Sequence, residues 1–266
     1  DYYASRGLGD VYKRQNMNAG KILTPITNAE IEQLRKSRQI FCDCYLTSTI
    51  NSLTRTKHGQ EILKQNILHC IADGTYKIHF PNIKNHPEDI FVTEKELKNL
   101  ILVDRYTNPI EVETESHPIQ KAIEVAINKL IKKYPGFKSL VCNLFSSVED
   151  FEFNFPSKFM SLFTGQKPLT INEKTPWMTL TSKETQVRKL FEEIGTQKDF
   201  HLVAGTGFKL KSEFEDWHCY TIDSFNLDND AISLYNTRNG ETINTDMKTF
   251  LKSFKYITGY KPEDLK

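Results

Sequence analysis

The chain has 266 residues, of which 38% are apolar, and its 35 Lys and Arg against 34 Asp and Glu give a net charge of +1. This composition allows a packed core in one large domain or in two halves. It excludes a general nucleic-acid binder, whose surface needs a basic excess to displace counterions. The longest apolar runs, such as residues 100–103, are far too short to span a bilayer.

The first fifteen residues are set apart from the rest of the chain. The stretch "DVYKRQ", at residues 10–15, translates the end sequence of a transposase-based sequencing adapter. Residues 1–15 are therefore predicted to be adapter-derived and disordered, and the gene a metagenomic fragment. The domain proper is then residues 16–266. A genuine disordered basic tail is the alternative.

Helical patterns dominate the first part of the chain. Thr27, followed three residues later by Glu30, predicts a capped helix over "TNAEIEQLRKS". Further helices are predicted after Cys44 and over "QEILKQNI", "PIQKAIEVAINKLIKKY" and "FPSKFMSLFTGQ". Two predicted strands, "TYKIHF" and "DIFVT", lie between "QEILKQNI" and the helix that follows.

The last third of the chain is rich in β-pattern. A helix over "SKETQVRKLFEEIG", capped by Ser182 and ended by Gly195, precedes it. Strands are then predicted over "DFHLVAG", "DWHCYTIDSFN" and "AISLYNTR", with turns at "NLDND" and "RNG". The predicted class is α+β, with a helical subdomain over about 28–165 and an antiparallel β-rich subdomain over about 166–260.

The cysteines raise the first question of function. There are five, at positions 42, 44, 70, 142 and 219, and this odd number argues against a disulfide framework. Cys42 and Cys44 stand directly before a predicted helix, which leaves three readings open. In the first, Cys44 is an inert buried thiol. In the second, it is a nucleophile whose thiolate the helix N-terminus stabilises. In the third, it is one ligand of a metal site. The side chains of that metal site would be Cys42, Cys44, His218 and Cys219.

Thiol catalysis also needs an imidazole base and a group that orients it. Of the seven histidines, His218 is the distinctive one, because it sits in the aromatic and β-branched stretch "WHCYTI". Asn236 follows after one hairpin turn, in "LYNTRNG". Adjacent antiparallel strands would bring these two side chains together.

The stretches "DCYLTSTINSL", "WHCYTI" and "LYNTRNG" resemble the Cys, His and Asn blocks of calpain-type cysteine peptidases, in the papain-like group. The resemblance covers about residues 33–258. It implies a papain-like fold with a cleft between the two halves. It also implies a bacterial-type calpain-like endopeptidase that hydrolyses peptide bonds through an acyl-thioester.

Four site residues follow from this resemblance, position by position. Cys44 would be the nucleophile, His218 the general base and acid, and Asn236 the residue that orients His218. Gln39 would be the side-chain donor of the oxyanion hole, which stabilises charge on the tetrahedral intermediate.

The chain departs from the family pattern at three places. Gln39 lies five residues before Cys44, whereas the family glutamine lies six before, where this chain has Arg38. Cys42 replaces a glycine, and "TRN" replaces the Pro-Trp-Gly after the asparagine, so the tryptophan that shields the His–Asn contact is missing. These departures leave open a catalytically weak domain used for binding.

A second alternative is a transglutaminase-like acyl transferase, in which Asp228 or Asp230 would replace Asn236. For either enzyme the expected partner is a protein or peptide substrate, and no nucleic acid or membrane span is expected. Calcium dependence is implied only as a family trait, and no acidic loop with calcium-ligand spacing is present in the sequence, so no cofactor is expected. The cysteine usage favours the cytoplasm, with secretion left open because the native N-terminus is expected to be missing.

Overall fold

Helices and antiparallel strands are mixed along the chain, which confirms the predicted α+β class. A computed structural model describes ten ranges: 22–38, 44–83, 86–98, 102–103, 109–110, 117–133, 156–172, 180–195, 200–207 and 213–260. The predicted adapter segment, together with Gln39 and Cys42, lies outside these described residues.

Eight helices lie in the described residues. They are α1 (Asn28–Arg35), α2 (Cys44–Thr54), α3 (Lys57–Asn66), α4 (Glu94–Lys98), α5 (Pro118–Lys133), α6 (Pro156–Thr164), α7 (Leu180–Gly195) and α8 (Met247–Ser253).

The described strands form three antiparallel sheets. A four-stranded sheet, in the order β1-β2-β3-β4, consists of Thr24–Pro25, Ile67–Cys70, Thr75–Ile83 and His86–Val92. A two-stranded sheet pairs β5 (Leu102–Val103) with β6 (Pro109–Ile110). A six-stranded sheet, in the order β11-β10-β9-β8-β12-β7, consists of Glu241–Asp246, Ala231–Asn236, Cys219–Asn226, His201–Thr206, Phe254–Tyr260 and Leu169–Asn172.

Local side-chain chemistry explains where several helices begin. At α1, the Thr27 hydroxyl accepts a bond from the Glu30 amide, and the Glu30 carboxylate accepts one from the Thr27 amide, which is the predicted capping box. Thr56 caps α3 and Asp246 caps α8 in the same manner, with one side-chain oxygen each. These oxygens satisfy amide groups that have no partner within the helix.

The helix α2 is the centre of the molecule, and all of its residues are buried. It packs against α1, α3 and α6 on one side and against β8 and β9 on the other. Two hydrogen bonds join it to β9: the Ser48 hydroxyl donates to the Cys219 carbonyl at 2.8 Å, and the Thr221 hydroxyl donates to the Ser48 carbonyl at 3.0 Å. These two bonds fix α2 against β9, and so they fix the position of Cys44.

Two hydrophobic clusters lie on either side of this contact. The first surrounds α2 and includes Leu46, Phe80 and Phe163, from the helix, the four-stranded sheet and α6. The second fills the space between the six-stranded sheet and the helices α7 and α8, and includes Phe191 and Phe250. The first cluster draws mainly on residues before 165, and the second on residues after it.

The structure corrects several predicted element bounds. The first half contains two strands more than predicted, because β1 and β2 join the two predicted strands to make a four-stranded sheet. The helix predicted over "QEILKQNI" begins earlier, at Lys57, and ends at Asn66, because Ile67 already pairs with Ile78 of β3. The helix α7 begins at Leu180, before the expected Ser182 cap. Among the described residues, every helix falls short of the length and apolar character that a bilayer crossing requires.

Candidate active site

His218 and Asn236 are in direct contact, as the hairpin in the sequence predicted. The His218 Nε2 lies 2.8 Å from Asn236 Oδ1, and the two residues are only 3% and 2% exposed. The contact arises because β9 and β10 pair with Asn236 opposite Tyr220, two positions after His218. The Tyr220 ring packs edge-on against the His218 ring, with centroids 4.8 Å apart. The imidazole is therefore fixed in both position and rotation.

The backbone around His218 is also held firmly. The His218 amide donates to the Thr206 hydroxyl at 2.9 Å, and the His218 carbonyl accepts from the Thr206 amide at 2.9 Å. Trp217, directly before it, has φ of 55°, which is left-handed and strained for a residue other than glycine. The Trp217 amide donates to the Gly207 carbonyl at 3.1 Å. Such strain is often found at functional sites, where surrounding contacts hold it in place.

Cys44 is the first residue of α2 and lies at the same place. Its sulfur is 4.0 Å from the carbonyl oxygen of Trp217 and also lies close to the His218 ring. The three described cysteines, Cys44, Cys70 and Cys219, are free thiols. The structure thus brings together three of the four predicted site residues, from α2, the start of β9 and the end of β10.

The expected thiolate at Cys44 is a point on which the structure disagrees with the sequence. The pKa of Cys44 is raised well above its ordinary value, first by a hydrogen bond with the Cys219 side chain and then by burial. The opposing effect of His218 is smaller. Cys44 is 6% exposed, so its neutral form is the stable one. Neither the burial of Cys44 nor its contact with Cys219 follows from its place at a helix start.

Cys219 belongs to a small buried group behind the nucleophile candidate. Its sulfur lies 3.0 Å from the Tyr256 hydroxyl on β12. Burial, and next the nearby Cys219, raise the pKa of Tyr256 well above its ordinary value. Tyr256 therefore stays neutral.

Glu215 and Arg238 join the site, and no motif in the sequence pointed to either. The Asn236 Nδ2 donates to a carboxylate oxygen of Glu215 at 3.0 Å, and the Arg238 guanidinium forms an ion pair with the other oxygen. The Arg238 amide also donates to Asn236 Oδ1, at 2.9 Å. Arg238 occupies the position where the family pattern has the shielding tryptophan.

The remaining predicted residues fall into two groups. Gln39 and Cys42 lie outside the described residues, whereas Arg38 lies against the turn after β10, where a Cβ added to Gly240 would be 3.2 Å from its Nε. Within the described ranges, no group of three or more His, Cys, Asp or Glu side chains is placed to hold a metal ion.

Asp228 and Asp230, the residues of the transglutaminase-like hypothesis, make contacts elsewhere. Asp230 pairs with Arg188, with the Arg188 Nη1 at 2.8 Å from its Oδ1. The Asp228 amide donates to Asn226 within the β9–β10 turn. The side chain that holds the His218 ring is therefore Asn236.

Comparison of the chain with models of protein families and with curated proteins gave no match.

Proposed function

We propose that this protein is a calpain-like cysteine endopeptidase with a papain-like arrangement of its two halves. The observation that carries the proposal is the buried 2.8 Å contact between His218 Nε2 and Asn236 Oδ1, beside a thiol that begins the central helix. A nucleophile next to a base, with the base oriented by a third group, is the general requirement of covalent acyl transfer. The substrate class is a protein or peptide.

The chemistry begins from neutral groups. The His218 Nε2–H donates to Asn236 Oδ1, so the lone pair on Nδ1 is free to accept a proton. Because the pKa of Cys44 is raised, the thiol loses its proton to His218 as the sulfur attacks the peptide carbonyl carbon. This differs from an enzyme with a preformed thiolate. The resemblance to calpains assigns stabilisation of the resulting oxyanion to Gln39.

The two remaining steps return the protein to its starting state. The protonated His218 gives its proton to the leaving amine, the C–N bond breaks, and an acyl-thioester on Cys44 remains. Water then attacks the thioester carbonyl while His218 accepts a proton from it. The C–S bond breaks, and His218 gives that proton to the Cys44 sulfur. The products are a carboxylic acid and the free Cys44 thiol.

A second candidate function is a binding domain that retains the fold without efficient catalysis. The observation in its favour is the burial of Cys44 together with the raised pKa of its thiol. A peptide held beside His218 without attack would be its expected ligand. The experiment below separates the two candidates.

The test uses a peptidyl electrophile that reacts with cysteine peptidases, followed by mass spectrometry of the modified residue. The enzyme proposal expects modification at Cys44 and hydrolysis of a peptide library, both lost in Cys44→Ala. Cys70→Ala is the matched control, since Cys70 is a second buried free thiol, outside this site. Hydrolysis that survives Cys44→Ala contradicts the proposal, and a folded protein with neither reaction supports the binding domain. A peptide–amine adduct formed when an amine is added indicates acyl transfer instead.

A further inference from the structure

The Asn236 amide can take two orientations, and its neighbours decide between them. A carboxylate only accepts hydrogen bonds, so the 3.0 Å contact with Glu215 requires the Nδ2 of Asn236 to face Glu215. The Oδ1 must then face His218. The Arg238 amide, which donates to Oδ1 at 2.9 Å, favours the same orientation. The amide is thus fixed from both ends.

The orientation of Asn236 decides which nitrogen of His218 carries the proton. Because Oδ1 can only accept, the facing Nε2 must carry the hydrogen, and the neutral ring is left with its lone pair on Nδ1. A reversed amide would present N–H groups to Nε2 and place the proton on Nδ1. The ring could then no longer accept the Cys44 proton through Nδ1.

From this geometry we infer that Glu215 is a positioning residue for the proposed catalytic site, acting through Asn236 on the tautomer of His218. The inference rests on the proposed function for its effect on rate, but the tautomer itself can be measured without any activity. Glu215 would act by orienting Asn236: among the described residues its carboxylate contacts Asn236 and Arg238, and neither carries a reacting atom.

Glu215 is itself held by the residues that hold His218. Its amide donates to the Tyr220 hydroxyl at 3.0 Å, and its carbonyl accepts from the Thr206 hydroxyl at 2.6 Å. The same Thr206 hydroxyl accepts from the His218 amide. Glu215 and His218 are therefore anchored to one side chain, and their separation is fixed.

Arg238 completes the arrangement on the outer side. Its guanidinium pairs with the second Glu215 oxygen, and the two side chains are 55% and 30% exposed. Arg238 stands at the sequence position where the calpain pattern has a tryptophan, and both members of this pair are bonded to Asn236. The ion pair helps to keep the Glu215 carboxylate oriented toward Asn236. An exposed ion pair by itself stabilises a fold only weakly.

The test is Glu215→Gln, with Glu213→Gln as the matched control. Glutamine has the same shape but a single acceptor oxygen, so Arg238 and the Asn236 Nδ2 must compete for it. Glu213 is an exposed carboxylate two residues earlier that lines a separate surface depression with Asp246 and Thr249. Long-range ¹H–¹⁵N NMR of the His218 ring, assigned with His218→Gln, gives the tautomer.

In the unsubstituted protein, the neutral His218 ring is expected to carry its proton on Nε2. Glu215→Gln is expected to move part of the population to Nδ1 and to lower kcat about tenfold with KM within twofold, because the Arg238 amide still favours the working orientation. Glu213→Gln should change neither quantity. In an Asn236→Asp background the effect should reverse, because the glutamine amide donates to the new carboxylate and removes a like-charge repulsion.

Three results would overturn the inference. One is a ring protonated at Nδ1 in the unsubstituted chain, which needs no variant and so does not depend on the folding of Glu215→Gln. The second is a Glu215→Gln protein with an unchanged tautomer and a kcat within twofold of the Glu213→Gln control. The third is an equal loss of rate in the Asn236→Asp background, which would indicate a merely structural role. Absence of hydrolysis in every protein would overturn the proposed function, and the NMR result would still decide the role of Glu215.

Discussion

The two ends of helix α2 each face a buried histidine, and the difference between them separates a catalytic candidate from a structural residue. At the first end, Cys44 lies beside His218. At the other end, the ring nitrogens of His201 lie 3.3 and 3.2 Å from the Thr56 hydroxyl, and its Nδ1 lies 3.4 Å from the Ser52 carbonyl. His201 begins β8 and His218 directly precedes the neighbouring strand β9, and both are at most 3% exposed.

Burial is therefore not what makes His218 a candidate base. Hydroxyl and carbonyl groups surround His201 at the helix end, and such groups suit a histidine that helps to pack and cap the chain. His218 instead contacts an amide whose orientation is set by a carboxylate, and its ring acts on a thiol. The lesson is that the chemistry of the partners, rather than the exposure of the ring, distinguishes the two ends.

The largest expected effect comes from substituting the two histidines, which tests this difference directly. His218→Gln should lower kcat/KM by about 10³-fold or more, since it removes the general base. His201→Gln should leave kcat/KM per folded molecule within about threefold, but should cost about 1–3 kcal/mol of unfolding free energy because buried polar partners lose a bond. Peptide hydrolysis and urea unfolding of both variants provide the measurements. A His201→Gln protein that is fully folded and inactive would show that the two ends were assigned wrongly.

Asn236 gives the next largest effect, at the Cys44 end. Asn236→Ala should lower kcat/KM about 10- to 100-fold, because His218 keeps its chemistry and loses only its orientation. Asn236→Asp should restore part of the rate, since a carboxylate also accepts the Nε2–H bond. The measurement is steady-state hydrolysis beside Cys44→Ala. A loss as complete as that of Cys44→Ala would mean that Asn236 holds the fold rather than the ring.

Gly59 tests the His201 end through stability alone. A Cβ at this position would lie 2.3 Å from the Leu53 carbonyl oxygen and 2.5 Å from His201 Cε1. Gly59→Ala should therefore reduce the unfolding free energy by about 1–3 kcal/mol, as overpacking of a core typically does. Urea unfolding is the measurement, with exposed Gln65→Ala on the same helix as the control. The rate of peptide hydrolysis per folded molecule should stay unchanged. A loss of that rate without a loss of stability would show that the His201 end of α2 affects the Cys44 end.

The smallest expected effect concerns the environment of Cys44. The hydrogen bond that the Cys44 thiol donates to the Cys219 sulfur is the largest cause of the raised Cys44 pKa, so Cys219→Ala should lower that pKa. At neutral pH, below the pKa, the thiolate fraction then rises, and iodoacetamide should modify Cys44 about three- to tenfold faster. Mass spectrometry of the labelled peptide at several times gives the rate, with Cys70→Ala as control. Unchanged or slower labelling would show that burial alone controls the thiol.

The sequence by itself determined the features that depend on neighbouring residues. The capping box of α1, the helix that follows Cys44 and the hairpin that joins β9 to β10 could all be predicted, because periodicity and turn residues act over short distances. His218 and Asn236 are separated by one hairpin, so antiparallel pairing was enough to predict their contact.

Only the tertiary structure decided what lies around them. The contact of Cys44 with Cys219, the raised pKa that results and the hydrogen bond between Glu215 and Asn236 depend on how α2, the loop before β9 and the end of β10 pack together. Pairing with β3 likewise made Ile67, the expected last residue of a helix, the first residue of a strand. Burial and hydrogen bonding between distant segments change both the pKa values and the local structure, and no local pattern of residues records them.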